Sequence, residues 1–256
     1  MSRKLILITN DGGRANYLPG VVRDAQNYLD FFHLPEGGLW SDDEIKVYRN
    51  TCTHPVLSSY ILQERMRGLQ YVVIVFCGHG YSTERGMTFF ELSPGHEASL
   101  LQIKEMVRET RCLMIADSCR VTVLAEGGRL PEIRMFSDDR SPDDYRQRCF
   151  ELYDQYFRGL VRGHFTIGMA ASLGQSAGED ENGGYYSRML LSTAKALIVA
   201  KKATRNRNDN YDPHAKFPLV HGMTRDKFMR NGINGQTPDI KAPQGRQAPF
   251  VVVPRG

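Results

Sequence analysis

Two short stretches end apolar runs with a thiol and an imidazole. Leu113-Met114-Ile115-Ala116 stops at Asp117-Ser118-Cys119-Arg120, and Tyr71-Val72-Val73-Ile74-Val75-Phe76-Cys77 stops at Gly78-His79-Gly80. A cysteine is a useful nucleophile only as the thiolate, and an imidazole beside it can take the proton. His79 would serve as base towards Cys119 and then as acid towards a leaving amine. The oxyanion of a tetrahedral intermediate needs two or more backbone N–H donors, and the amides of Gly80 and Cys119 are the natural candidates. Gly78 and Gly80 let a substrate backbone approach closely. A lone buried cysteine is usually structural, and a lone histidine at a strand end is often a turn residue. The pair, each with a turn-forming flank, points to covalent catalysis.

Such a pair must be positioned by neighbouring strands, because reactive groups in α/β proteins gather just past the strands' carboxyl ends. His79 and Cys119 are 40 residues apart with a helical segment, Leu100 to Thr110, between them, so a right-handed crossover brings the two strands side by side. The rest of the chain repeats this alternation. Lys4 to Thr9 reads as a buried strand ending at the turn Asn10-Asp11-Gly12-Gly13, with neither G-x-G-x-x-G nor a Walker lysine to support phosphate binding. Leu18 to Phe32 reads as a helix, with Val21, Val22, Ala25, Leu29 and Phe32 at near-helical spacing. Glu44 to Arg49 alternates and reads as a strand nearer an edge. Thr53 to Arg67 reads as a helix with Pro55 early. Met87 to Leu92 reads as a hairpin arm, Tyr145 to Arg162 and Tyr185 to Ala200 as helices, and Phe165 to Ala170 and Phe250 to Val253 as strands. The loops are Ala125 to Asp144, Gly174 to Gly184 and Lys201 to Asp212. Strands alternating with helices predict one α/β sandwich with a mainly parallel sheet over residues 1–256.

With 256 residues the chain can bury a sizeable core, and 41% apolar with 24% charged residues is the make-up of an ordinary globule. A net charge of +4 from 33 basic and 29 acidic residues is too balanced to imply nucleic acid. No signal-like or membrane-spanning apolar run is present. Five cysteines, two of them (Cys77 and Cys112) in apolar strands, fit a reduced, cytoplasmic protein. Cys77, His79 and His96 lack the ligand spacing of zinc sites. The basic run Lys201 to Arg207 has no interleaved aromatics and reads as a solvated loop.

Phe76-Cys77-Gly78-His79-Gly80 and Ile115-Ala116-Asp117-Ser118-Cys119 resemble the two catalytic segments of caspase-like cysteine peptidases, nearer the metacaspase and prokaryotic branch. The resemblance covers Lys4 to about Ala200. It implies a six-stranded sheet sandwiched by helices, His79 and Cys119 as the catalytic dyad, and the Gly80 and Cys119 amides as oxyanion donors. The chain departs from the metacaspase His-Ser-Gly after the cysteine, carrying Arg120-Val121-Thr122 instead. Arg120 is partly reminiscent of the animal caspases' Q-A-C-R-G.

The family uses the position two before the nucleophile to line the pocket for the residue preceding the cut. Here that position is Asp117, as in relatives that cut after arginine or lysine; a recessed carboxylate favours a cation. A second acid is expected from the loop after the next strand, with Glu179 the first choice and Asp180 the alternative. Asp117 could instead hold a loop through backbone hydrogen bonds, and the acidic loop could be merely solvated. Ala125 to Asp144 is long for a loop in a compact domain. It carries Arg129, Arg134 and Arg140, where self-cleavage or an upstream protease could gate activity. No cofactor is required by this chemistry. Calcium, which some metacaspases need, stays open at Asp138-Asp139 and Asp143-Asp144.

The expected activity is a cysteine endopeptidase acting on proteins with a basic residue before the cut, with no nucleic-acid or membrane partner. From the resemblance, prokaryotic relatives work in stress responses, regulated death or antiviral defence. The rival reading is a caspase-fold adaptor without proteolysis, since fold alone does not establish function.

Overall fold

In a computed structural model of the chain, residues 2–13, 16–120, 142–207 and 210–255 are described. The strands in chain order are β1 (Ser2–Asn10), β2 (Ile45–Arg49), β3 (Leu69–Gly78), β4 (Gly80–Ser82), β5 (Thr88–Ser93), β6 (His96–Ser99) and β7 (Arg111–Asp117). They continue with β8 (Phe165–Met169), β9 (Glu179–Asp180), β10 (Gly183–Gly184), β11 (His214–Lys216), β12 (Asp239–Lys241) and β13 (Pro249–Val252). The helices are α1 (Gly20–His33), α2 (His54–Met66), α3 (Leu100–Met106), α4 (Asp143–Arg158), α5 (Tyr185–Thr204) and α6 (Phe217–Arg230).

Six strands form the central sheet in the order β12-β8-β7-β3-β1-β2, parallel except for β12. The near-continuous apolar runs of β1, β3 and β7 are what burial on both faces demands. Leu5, Leu7, Tyr71, Val73, Val75, Leu113 and Ile115 join the core beneath α1, α4 and α5. Ile6, Ile8, Val72, Ile74, Phe76, Met114 and Ala116 join the core beneath α2 and α3. The alternating strand β2 lies at the sheet edge, as its pattern suggests. The arm after His79 is the antiparallel three-stranded sheet β4-β5-β6.

Several boundaries differ from the sequence reading. Glu44 precedes its strand, capping a short 3-10 turn and pairing with Arg3 at 2.7 Å. The helix expected to reach Thr110 ends at Met106, and α5 runs on through Lys201 and Lys202 to Thr204, into the stretch read as loop. Asp143 and Asp144 open α4 rather than closing the preceding loop. Residues 213–249 hold α6, β11 and β12, none of which the sequence reading identifies. The final strand β13 exists but pairs with β11 instead of joining the main sheet. No described helix is long and apolar enough to cross a membrane.

Candidate active site

The register between β3 and β7 sets Cys77 beside Asp117. His79 and Cys119 each lie two residues further on, so the parallel pairing delivers both to one end of the sheet. They line the same cavity of about 120 Å³, with Asp24 from α1 and Ala177, Gly178, Glu179 and Gly184 from the segment after β8. Cys119 is the one cysteine of five that is not fully buried.

The imidazole is held from the β1–α1 loop. His79 Nε2 lies 2.7 Å from the Asn16 carbonyl oxygen. A carbonyl only accepts, so the ring donates through Nε2 and, when neutral, keeps its lone pair on Nδ1. Gly12, at φ +77°, passes so close that a side chain there would collide with His79 Nε2 and the Asn16 carbonyl. The thiol has a different environment. Cys119 Sγ accepts from the Ala177 N–H at 3.3 Å. Burial pushes its pKa above the usual thiol value, with the charges of Asp117 and Glu179 adding, while hydrogen bonds from Ala177 and Ser176 oppose. The resting thiol is therefore protonated at neutral pH and needs a base to become a nucleophile. At Gly80, the Glu91 N–H donates to the His79 carbonyl at 3.0 Å, which makes Gly80 and Phe90 a non-hydrogen-bonded pair. The Gly80 N–H thus points away from β5.

Three carboxyl groups converge on this cavity. Asp117 Oδ2 accepts from the Ser187 N–H at 2.9 Å and from the Ser187 hydroxyl at 2.7 Å. Asp24 Oδ2 accepts from the Gly184 N–H at 2.8 Å, while its buried Oδ1 has no hydrogen-bond partner among the described residues. Glu179 accepts from the Gly20 N–H. Burial, the largest cause in each case, raises all three pKa values, and mutual repulsion adds for Asp24 and Glu179. Glu179 is pushed up to about 7. Backbone fits tightly around them: a side chain at Gly183 would collide with Asp24, and one at Gly184 with Asp117.

Asp180 does not line the cavity; it pairs with buried Arg188 at 2.9 Å and accepts from the Asn182 N–H at 2.8 Å. Arg188 in turn exerts a favourable field on Asp24 and Asp117. His79, Cys119, Asp117 and Glu179 are thus together, and Asp180 stands behind them. Arg129, Arg134 and Arg140, like Asp138 and Asp139, lie outside the described residues. Asp144 pairs with Arg148 at 3.2 Å. Among the described residues no cluster of three or more His, Cys, Asp or Glu side chains has the geometry to hold a metal ion.

Sequence reasoning missed Asp24, the Asn16 carbonyl and the part played by Arg120. The signal for Asp24 is an acid on the apolar stripe of an amphipathic helix, flanked by Val21, Ala25 and Tyr28. Arg120 is buried: Nη1 donates to the Ala171 carbonyl at 3.2 Å and pairs with Asp239 of β12 at 3.0 Å, and Nη2 donates to Thr88 Oγ1 at 3.2 Å. Its own N–H donates to the Gln175 carbonyl at 2.9 Å, tying the loop of Cys119 to the segment that carries Ala177.

No protein-family model matches the chain, and no curated protein matches its sequence. Solved structures do. Caspase-1 from Spodoptera frugiperda superimposes with a TM-score of 0.57 at 11% identity, covering 94% of this chain and 86% of that one. A structural-genomics protein from Geobacter sulfurreducens superimposes with a TM-score of 0.55 at 15% identity, covering 99% of this chain and 100% of that one. The protein has a caspase-like α/β fold with a six-stranded, mainly parallel sheet.

Proposed function

We propose that the protein is a cysteine endopeptidase that cleaves after arginine, and after lysine, with Cys119 as nucleophile and His79 as base. The observation that carries this reading is the convergence of Asp24, Asp117 and Glu179 on the cavity that also holds Cys119 and His79. A pocket whose carboxyl groups resist ionisation when empty is relieved by an entering guanidinium, and it repels an aspartyl side chain. Cys119 attacks the scissile carbonyl carbon as its proton passes to His79 Nδ1, and the C–S bond forms as the carbonyl oxygen takes the negative charge. The Gly80 N–H, turned from the β5 ladder, and the Cys119 N–H donate to that oxyanion. Collapse breaks the C–N bond while His79 returns the proton to the leaving amine. Water then hydrolyses the thioester.

Asn16 serves as the positioning group that fixes the tautomer of His79. The chemistry needs no cofactor, and the partners are cytoplasmic proteins with an accessible basic residue before the cut. The test is turnover of arginyl, lysyl and aspartyl fluorogenic peptides, with and without calcium, by wild type and Cys119→Ala. Turnover of the basic peptides alone, absent in Cys119→Ala, is the expected result, and the arms with and without calcium decide whether that ion is needed. Cleavage of the aspartyl peptide overturns the pocket assignment, and absence of any turnover favours a non-proteolytic adaptor.

A further inference from the structure

The face of the sheet beneath α2 and α3 is covered unevenly. Phe165 and Ile167 of β8 project to that face, but α3 has seven residues, a length of about 10 Å. Between α3, β5 and the β8–β12 edge lies a cavity of about 490 Å³ that shares no described residue with the one at Cys119. This falls within the roughly 300–1,000 Å³ of small-molecule sites. Phe89, Leu101, Phe165 and Ile167 make it apolar, and Leu101 is 73% exposed despite its size. Among the described residues the charged members of its lining are Lys104 and Lys241, both exposed, with no carboxylate beside them in that lining. Neither lysine forms an ion pair among the described residues.

We propose that this cavity binds a small ligand with an apolar body and one anionic head group. The apolar lining gains by covering its surface from water, and two lysines that form no ion pair among the described residues select an anion over a neutral or cationic head. An apolar chamber with a few polar groups at fixed positions is the usual form of such sites. The cavity also touches the support of the nucleophile. Thr88, in its lining, accepts from Arg120 Nη2, and β12, which supplies Lys241, carries the Asp239 that pairs with Arg120 Nη1. Arg120 follows Cys119 directly. A ligand bridging β5 and β12 therefore holds this arginine and the loop beside it, and restrains opening around the thiol.

The first test is isothermal titration calorimetry with decanoate, using decanol as the neutral control. Decanoate should saturate one site, with decanol about tenfold weaker and the Lys104→Glu/Lys241→Glu variant weakened by about tenfold or more towards decanoate. Leu101→Asp, at an exposed position, should weaken both ligands. Circular dichroism and thermal melting show that the variants remain folded. Absence of saturable binding, equal decanoate binding by the double variant, or decanol binding as tightly as decanoate overturns the proposal. The second test follows iodoacetamide labelling of Cys119 by peptide mass spectrometry, a readout that needs no peptidase activity. Saturating decanoate should slow labelling about threefold in wild type and leave the double variant unaffected. An unchanged wild-type rate overturns the link through Arg120.

Discussion

Replacing Asp24 by asparagine separates stability from activity, because the two should move in opposite directions. In the wild type one carboxylate oxygen accepts from the Gly184 N–H and the other is buried without a partner among the described residues. Its pKa is raised well above the usual aspartate value, first by burial and then by Asp117. A folded-state value above the unfolded one means that stability is lost as pH rises and the carboxyl must ionise in place. The replacement amide keeps the shape and the acceptor for Gly184, and puts a donor among carboxylates where the orphaned oxygen was. An unsatisfied buried polar atom costs about 1–3 kcal/mol, so Asp24→Asn should gain about that much at alkaline pH. The gain should shrink as pH falls and the wild-type carboxyl takes up its proton. A cationic substrate meets the opposite effect. Removing one member of a desolvated charge pair costs about 2–4 kcal/mol, or roughly 30- to 1,000-fold in kcat/KM for an arginyl peptide. Urea unfolding at several pH values and steady-state kinetics measure the two quantities. Unchanged kcat/KM, or stability and activity falling together, would refute the reasoning and leave Asp24 as an ordinary structural residue.

Other consequences of the site can be measured directly. Glu179, pushed up to about 7, must ionise to meet a cation, so kcat/KM for arginyl peptides should rise through about that pH; Glu179→Gln should abolish this limb and no other. The same residue makes the fold less stable as pH climbs from 4.5 to about 7, a trend that Glu179→Gln should flatten in thermal melts. Gly184→Ala should cost about 1–3 kcal/mol in urea unfolding, because its methyl group would collide with Asp117. Mass spectrometry of active protein should find cleavage after Arg129, Arg134 or Arg140, absent in Cys119→Ala. A triple Arg→Ala variant that stays uncut yet fully active would remove cleavage as a gate.

Much of the fold was legible because burial on both faces leaves a plain signature. β3 and β7 are uninterrupted apolar runs that end at polar clusters, and those ends hold His79 and Cys119. The alternation in β2 marked an edge for the same reason in reverse. Asp24 was hidden because its hydrogen bond to Gly184 spans 160 residues, and nothing local distinguishes a buried acid from one at the border of a helix face. Glu179 and Asp180 are adjacent in sequence, and only the placement of Arg188 sorts the cavity-lining acid from the one behind it. The strands β11 and β12 have three residues each, too few to show a period, and their pairing is wholly tertiary. The resemblance to caspase-like peptidases anticipated the fold that the solved structures support. The tether from Arg120 to Asp239 joins residues 119 apart in sequence, beyond the reach of any local pattern.

Burial, with repulsion adding at Asp24 and Glu179, makes the pocket a proton store. Each group retains its hydrogen more firmly than a free carboxylic acid does. Arginine stays charged across the whole working range, so under the proposed specificity its capture would be an exchange, one cation in and acidic hydrogens out. Apparent affinity is then a function of the surrounding acidity although the incoming side chain never titrates. The heat of association depends on which buffer receives what the pocket gives up. In an acidified compartment the same molecule would hold its protons and refuse its substrate, without any part of the chain having to move.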